Sequence, residues 1–468
     1  MRGDKESEAH MSGALATKVT VLDGPPAAGL SKGGASSFRP SVLLVAFLGA
    51  FLQPGFLDSV LADAVIRDSI GSIPAGRGGT NLGFADNLAT LYDNPAALSQ
   101  MSGVRVEFDL GLAKTELNFE NALNDDVDAK DELFALPTAM VSWQFTQAPT
   151  PAAIGLGFFV PAGYGAEWEL ENPVFGKQTY RSQAGLYKVL STFSIDLGKG
   201  FSAGAGAGFA YETAEFETPY VFQSGAFAGL PGLVDLKTDG FGYAWNVGIQ
   251  YRPTDRWTIG VAYVSETPVR MEGDFKLDVT GVPLPVPIPD TTAKYKVDVD
   301  NTWPRSLGVG TSYRLDWGTL ALDFYWYDWS NAFDKLTFKL SDGDNPFFNA
   351  IAGPNPSDSL ALNWHDSYSV RVGGDFYLSE NDTLRAGYMY MSNPVPDDTL
   401  TPLIPANNQH AITVGYGHNF GAVRLDFAYQ FYIGSRQHVG TSEVSPEFSG
   451  SSEQTMAHWF FLGANVNF

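Results

Sequence analysis

Beyond about residue 100, apolar side chains recur at every second position, the spacing of a strand whose successive side chains point to opposite faces. Across 422–431, Val423, Leu425, Phe427, Tyr429 and Phe431 alternate with Ala422, Arg424, Asp426, Ala428 and Gln430, so one face is apolar and aromatic and the other small or polar. The same comb recurs over 243–251, 306–315 and 368–378, and helical spacing is scarce. A soluble sandwich would alternate as well. Two further features favour a membrane barrel. Short turns such as 197–200, 252–256, 378–382 and 419–421 alternate with long connections at 114–137, 213–239, 271–293, 336–361, 393–408 and 435–456, the asymmetry of outer-membrane barrels. Aromatic residues, among them Tyr243, Tyr251, Trp257, Tyr263, Trp317, Trp326 and Trp329, stand near the comb ends, as in the girdles at the two membrane interfaces. The predicted fold is all-β: a fourteen-stranded antiparallel transmembrane β-barrel over 104–468, with early strands near 104–113, 138–146, 152–168, 185–197, 200–213 and 240–252.

Ahead of the barrel, the longest apolar run, Val42 to Leu52, is too short for the roughly 20 residues of a spanning helix. Lys32 and Arg39 precede it and Ala62-Asp63-Ala64 follows, the layout of a secretory signal peptide, so 1–64 reads as a leader. A buried core helix is the alternative. The chain ends at Phe468 after Phe460, Leu462, Ala464 and Val466, a closing strand of the kind that outer-membrane assembly machinery receives. The expected location is the outer membrane of a Gram-negative-type cell, with membrane lipid and lipopolysaccharide around a monomer.

Composition narrows the chemistry. Charged residues are only 17% of the 468 and aromatics 13%, a balance odd for a wholly water-facing surface. A net charge of −23 repels polyanions, so nucleic acid is excluded as a partner. With Cys 0 there is no disulfide framework, thiolate metal site or cysteine nucleophile. The G-x-S-x-G match at Gly29–Gly33 falls inside the leader, and Gly204-Ala205-Gly206-Ala207-Gly208 lies on a strand with no helix after it. None of the six histidines stands in a recognisable triad context. No catalytic residue, metal site or cofactor is expected.

Between the leader and the first strand, 65–103 lacks strand periodicity and carries Gly76-Arg77-Gly78-Gly79-Thr80-Asn81-Leu82-Gly83 and Leu91-Tyr92-Asp93-Asn94-Pro95-Ala96-Ala97-Leu98. Later come Trp303-Pro304-Arg305-Ser306-Leu307-Gly308, Tyr327-Asp328-Trp329-Ser330, and Leu384-Arg385-Ala386-Gly387-Tyr388 ahead of Ser392-Asn393-Pro394-Val395-Pro396 and Ile404-Pro405-Ala406-Asn407. With the Asn-Pro-Ala triplet before a fourteen-strand pattern, the chain resembles the FadL/TodX family of outer-membrane transporters of long-chain fatty acids and hydrocarbons. The acidic residue usual in the family's last return is replaced here by Ala406-Asn407. The resemblance implies that 65–103 is a hatch inside the barrel, with Arg77, Gly78, Asn81, Asn94, Pro95 and Ala96 among its fixing residues. It also implies an inward kink of the third strand through which cargo leaves sideways.

The residues themselves supply parts for such a path. Val160-Pro161-Ala162-Gly163-Tyr164-Gly165 interrupts the third strand; proline removes a ladder donor and glycine marks a bend, so Pro161, Gly163 and Gly165 are the candidate lateral opening, an ordinary strand end being the alternative. Phe222, Phe227, Leu230 and Leu284 make their loops too apolar for ordinary solvated loops. They would form a capture groove for a hydrophobic substrate, or pack on one another to close the barrel mouth. Arg371, Arg385 and Arg424, with Asp323, Asp375 and Asp426, fall on the polar comb and point into the lumen; each arginine, and Lys188, could hold a carboxylate or instead tie the hatch. A general porin or a structural, adhesin-like barrel is the other functional reading.

Overall fold

The computed structural model describes residues 66–145, 150–284, 288–353 and 355–468; the leader assigned to 1–64 lies outside these. Six long strands come first: β1 (Val104–Glu120), β2 (Leu133–Phe145), β3 (Ala152–Asn172), β4 (Gly176–Gly198), β5 (Phe201–Val221) and β6 (Pro231–Thr254). Four strands are each broken once: β7 (Trp257–Val264, Thr267–Asp278), β8 (Thr292–Trp303, Ser306–Leu315), β9 (Gly318–Tyr327, Lys335–Ser341) and β10 (Ser357–Ala361, Ser367–Tyr377). β11 (Asp382–Met391), β12 (His410–Asn419), β13 (Val423–Ile433) and β14 (Ser452–Asn467) complete the wall. Each runs antiparallel to the next, and β14 closes on β1 from Arg105↔Asn467 to Glu120↔Ser452. The fourteen predicted strands are all present, and the sheet closes on itself.

The comb faces the way a membrane requires. On β9, Leu320, Leu322 and Phe324 are 43%, 50% and 46% exposed, while Thr319, Ala321 and Asp323 are buried. Apolar side chains therefore look outward and small or polar ones inward, the reverse of a soluble sandwich. Trp257, Tyr313, Trp317 and Tyr377 ring one end of the outward face, and Tyr243, Trp245 and Tyr368 the other. Trp329 does not join them as predicted. It turns inward within the break in β9 and packs on Trp364 at 4.8 Å and Phe333 at 4.9 Å.

Two connections read as long loops are largely strand. β1 and β2 occupy much of 114–137, and β5 and β6 reduce 213–239 to a crossing at 222–230. Inward positions there stay apolar while outward ones turn charged, as where a wall rises out of lipid into water. Lys237–Glu215, Lys276–Asp235 and Lys296–Asp274 pair across the outer faces of these extensions.

Residues 66–103 lie inside the barrel. Short helices at Ser72–Gly76 and Thr90–Asp93 and a 3-10 turn at Pro95–Gln100 are almost wholly buried. Asn94 caps the last, its side chain accepting from Ala96 N at 3.3 Å, and Pro95 takes the first position, where no N–H is needed. Gly78 is obligatory: its φ is +69°, and a Cβ there would meet Val372 O at 2.8 Å and Tyr388 N at 2.9 Å on the barrel wall.

Candidate functional site

The plug is held mainly through its backbone, by side chains projecting from the wall. Asp323 accepts from Asn81 N at 2.8 Å and Leu82 N at 3.0 Å, Asp109 from Ser72 N at 2.7 Å, and Glu107 from Leu88 N at 2.7 Å. In return Gln250 donates to Leu82 O and Phe84 O, Asn246 to Leu91 O and Tyr92 O, and Gln430 to Ala75 O. A segment with little regular structure thus gains from the wall partners that its own backbone does not supply, as burial demands. Within the plug, Arg77 reaches Asp86 at 2.8 Å, Asn81 Oδ1 at 2.7 Å and Thr80 O at 2.8 Å, crosses to Asp375 at 3.2 Å, and stacks over the Phe84 ring at 3.4 Å. Asn94 donates to Leu82 O at 3.0 Å, and Ala96 is fully buried against the wall.

The lumenal cations divide into two kinds. Arg385 sits between Asp375 at 3.0 Å and Asp426 at 2.9 Å, and Arg424 shares Asp426 at 3.1 Å. Arg371 pairs with Asp68 at 2.9 Å, donates from its guanidinium to Tyr327 OH at 2.8 Å, and lies over the Tyr325 ring. All three are engaged in the plug-and-wall network. Lys188 differs: it is buried on the inward face of β4, has no carboxylate at ion-pair distance among the described residues, and holds its ammonium 5.6 Å from the Tyr92 ring.

At Pro161 the wall changes. β2 and β3 pair only from Phe145↔Ala152 to Ala139↔Phe158, although β2 continues against β1 to Leu133 and β3 against β4 to Asn172. Between Phe159↔Lys188 and Ala162↔Leu186, β3 takes three steps to two on β4, a bulge that exchanges its faces. Beyond it Gly165 lies on the outward side, yet a Cβ there would touch the ring of Phe134 at 3.2 Å, and Phe134 points inward from β2. β3 has therefore passed inside β2. Gly163 pairs with Gly185 along the displaced stretch. The start of the plug stands in the resulting gap: Arg67 N donates to Pro161 O at 2.9 Å, and its guanidinium reaches Thr138 on β2 at 3.3 Å. Farther along, Lys130 N donates to Glu167 O at 2.8 Å and closes the gap again.

An apolar cavity adjoins the displaced stretch. Tyr164, two residues beyond the bulge, lines it together with Ala214, Phe216, Leu236, Met271, Phe275, Val299, Phe338 and Leu403, and Val444, Ser445 and Phe448 of the last long loop. The loop residues proposed for capture are elsewhere. Phe222 and Phe227 are buried in a neighbouring aromatic cluster, 5.3 Å from each other and with Phe227 5.9 Å from Phe348, while Leu230 and Leu284 pack half-buried on it. The cavity is built instead by strand extensions, because inward alternation continues past 213 through Ala214, Phe216 and Thr218 and resumes at Val234, Leu236 and Thr238. That continued period was the signal available in the sequence. Glu212, also in the lining, carried no such signal.

A family described as outer membrane protein transport protein (OMPP1/FadL/TodX) matches residues 72–468. The long-chain fatty acid transport protein of Escherichia coli O6:H1 is 22% identical over 427 residues, spanning 82% of this chain and 89% of that one. Among solved structures, a Pseudomonas aeruginosa FadL homologue superposes with a TM-score of 0.71 at 18% identity, over 86% of this chain and 100% of its own. The Pseudomonas putida toluene transporter TodX gives 0.70 at 19%, over 87% and 100%. At these identities the structural likeness is one of fold.

Proposed function

Because the chain belongs to the FadL/TodX family of outer membrane transport proteins and is a closed β-barrel of the outer membrane, we propose that it carries hydrophobic small molecules, long-chain fatty acids or hydrocarbons, from outside into the membrane through a gap in its own wall. A greasy solute meets a polar lipopolysaccharide layer outside, and an aqueous lumen would offer it no favourable route. An apolar cavity replaces hydration with contact, at roughly 25 cal/mol per Å² of apolar surface removed from water. Release sideways then delivers the solute to hydrocarbon without a water-exposed step.

The observation that carries this reading is the parting of β3 from β2 at Pro161, beside a cavity that shares Tyr164 with the displaced strand. The plug blocks a straight axial route, and its first residues fill the gap, so passage requires those residues to shift. No step asks for bond chemistry, and we assign no catalytic role to any residue.

Deleting Val160 removes the extra residue and restores the register of β3 against β4. Labelled oleate and toluene are then followed into cells carrying either form. Uptake of the transported compound should fall at least tenfold in the deletion, at equal surface expression. Undiminished uptake would remove the lateral route.

A further inference from the structure

The cavity has one charged group in its lining, and that group is an acid. Glu212 on β5 is buried to 1% exposure, accepting from Asn301 Nδ2 on Oε1 at 2.6 Å and from Trp303 Nε1 on Oε2 at 2.9 Å. No cation stands at ion-pair distance from it among the described residues. The neighbouring inward cation, Lys188, is diagonal to it, since Leu186 pairs with Glu212 and Lys188 with Ala210; Lys188 lies outside the lining, turned to Tyr92 of the plug. A carboxylate offers about four lone-pair sites. Burial pushes this carboxyl up to about 7, against the two hydrogen bonds that lower it, so above that pH it is ionised; two of its sites are used by the wall, which leaves acceptor capacity and no donor of its own.

We propose that Glu212 sets the head-group selectivity of the cavity, favouring uncharged hydrophobes that end in a hydroxyl, such as alkanols and alkylphenols, over those that end in a carboxylate. The proposal rests on the transport reading and sharpens its substrate class. A hydroxyl at this end of the cavity donates a charge-assisted hydrogen bond to a fixed, already oriented acceptor. A ligand carboxylate brings a second negative charge into a space otherwise walled by Phe216, Leu236, Phe275 and Phe338, where little screens the two from each other. A plain hydrocarbon neither gains the bond nor meets the repulsion.

Three ligands of one shape separate these cases: 4-octylphenol, 4-octylbenzoate and octylbenzene, titrated at about pH 8.5, where Glu212 is ionised, into the full chain in lipid nanodiscs, with tryptophan fluorescence as readout. The wild-type chain should hold the phenol about tenfold or more tighter than the benzoate. Glu212→Gln should bring the two within about threefold, chiefly by tightening the benzoate, and leave octylbenzene unchanged. Equal wild-type affinities overturn the proposal, as does a preference that survives Glu212→Gln. Tighter benzoate binding that is lost in Lys188→Met would move head-group recognition to that lysine and also overturn it. Should none of the three bind the wild-type chain, the transport reading itself falls. The wild-type comparison decides even if a variant fails to fold.

Discussion

Arg385 shows how differently one lumenal arginine reads from sequence and from structure. Its place on the polar comb gave it two roles, gripping a ligand carboxylate or joining the plug to the wall, and nothing in the chain order separates them. The register decides: Asp375 faces Arg385 directly across β10 and β11, and Asp426 approaches it from β13, so the guanidinium lies between two wall carboxylates. Removing one member of such a buried group leaves the others uncompensated, at a cost of about 3–5 kcal/mol. Arg77 still meets Asp375 and Arg424 still meets Asp426, which places the loss toward the lower end. Arg385→Met should therefore lower the unfolding free energy of the barrel, read from urea titration in lipid, by that amount, without changing the ratio of fatty-acid to hydrocarbon uptake. A changed ratio at unchanged stability would make Arg385 a ligand contact after all.

At the scale of elements, the period-2 comb was enough to find every wall strand, because one face must meet lipid over its whole length and the pattern is enforced there. It failed where lipid ends. Above the membrane the outward positions become charged, as at Glu215, Lys237 and Lys276, so the comb is lost although the ladder continues. The site suffered most, since much of its lining belongs to those extensions and its charged member, Glu212, owes its place to pairing across β4, β5 and β6. The bend in β3 was legible, because proline and glycine act locally. The last long loop gives an element-scale test. It roofs the cavity and is fastened through Glu447, which accepts from Tyr180 OH at 2.8 Å and Asn172 Nδ2 at 2.5 Å. Burial raises the Glu447 carboxyl above its ordinary range, against the hydrogen bonds that lower it. The closed loop therefore binds a proton more tightly than an open one, so closure is strongest at low pH and weakens as pH rises through the raised value. Amide exchange over 441–451, corrected for intrinsic rate, should slow on going from about pH 8 to about pH 5, and Glu447→Gln should abolish the dependence. Exchange that quickens on acidification would reverse the assignment.

For the molecule as a whole, a fourteen-stranded wall encloses more space than its own side chains fill, and what fills it separates a plugged transporter from a porin. Here the plug supplies apolar residues such as Ile73, Leu82 and Leu91 to the lumen, and wall side chains take up backbone groups such as Asn81 N, Leu82 O and Leu91 O. Ions crossing along the axis would have to displace Arg77, Asp323 and their partners from a buried network, which is costly for charges with no replacement ligands. The full chain in a planar bilayer should accordingly conduct little and only in brief openings. Deleting residues 66–100 exposes Glu107, Asp109, Asp323, Arg385 and Asp426 to a continuous polar lumen, and should give steady conductance many times larger. A full-length chain that already conducts as the deletion does would mean that the plug does not seal, and a water-filled porin would then be the better description of how this barrel works.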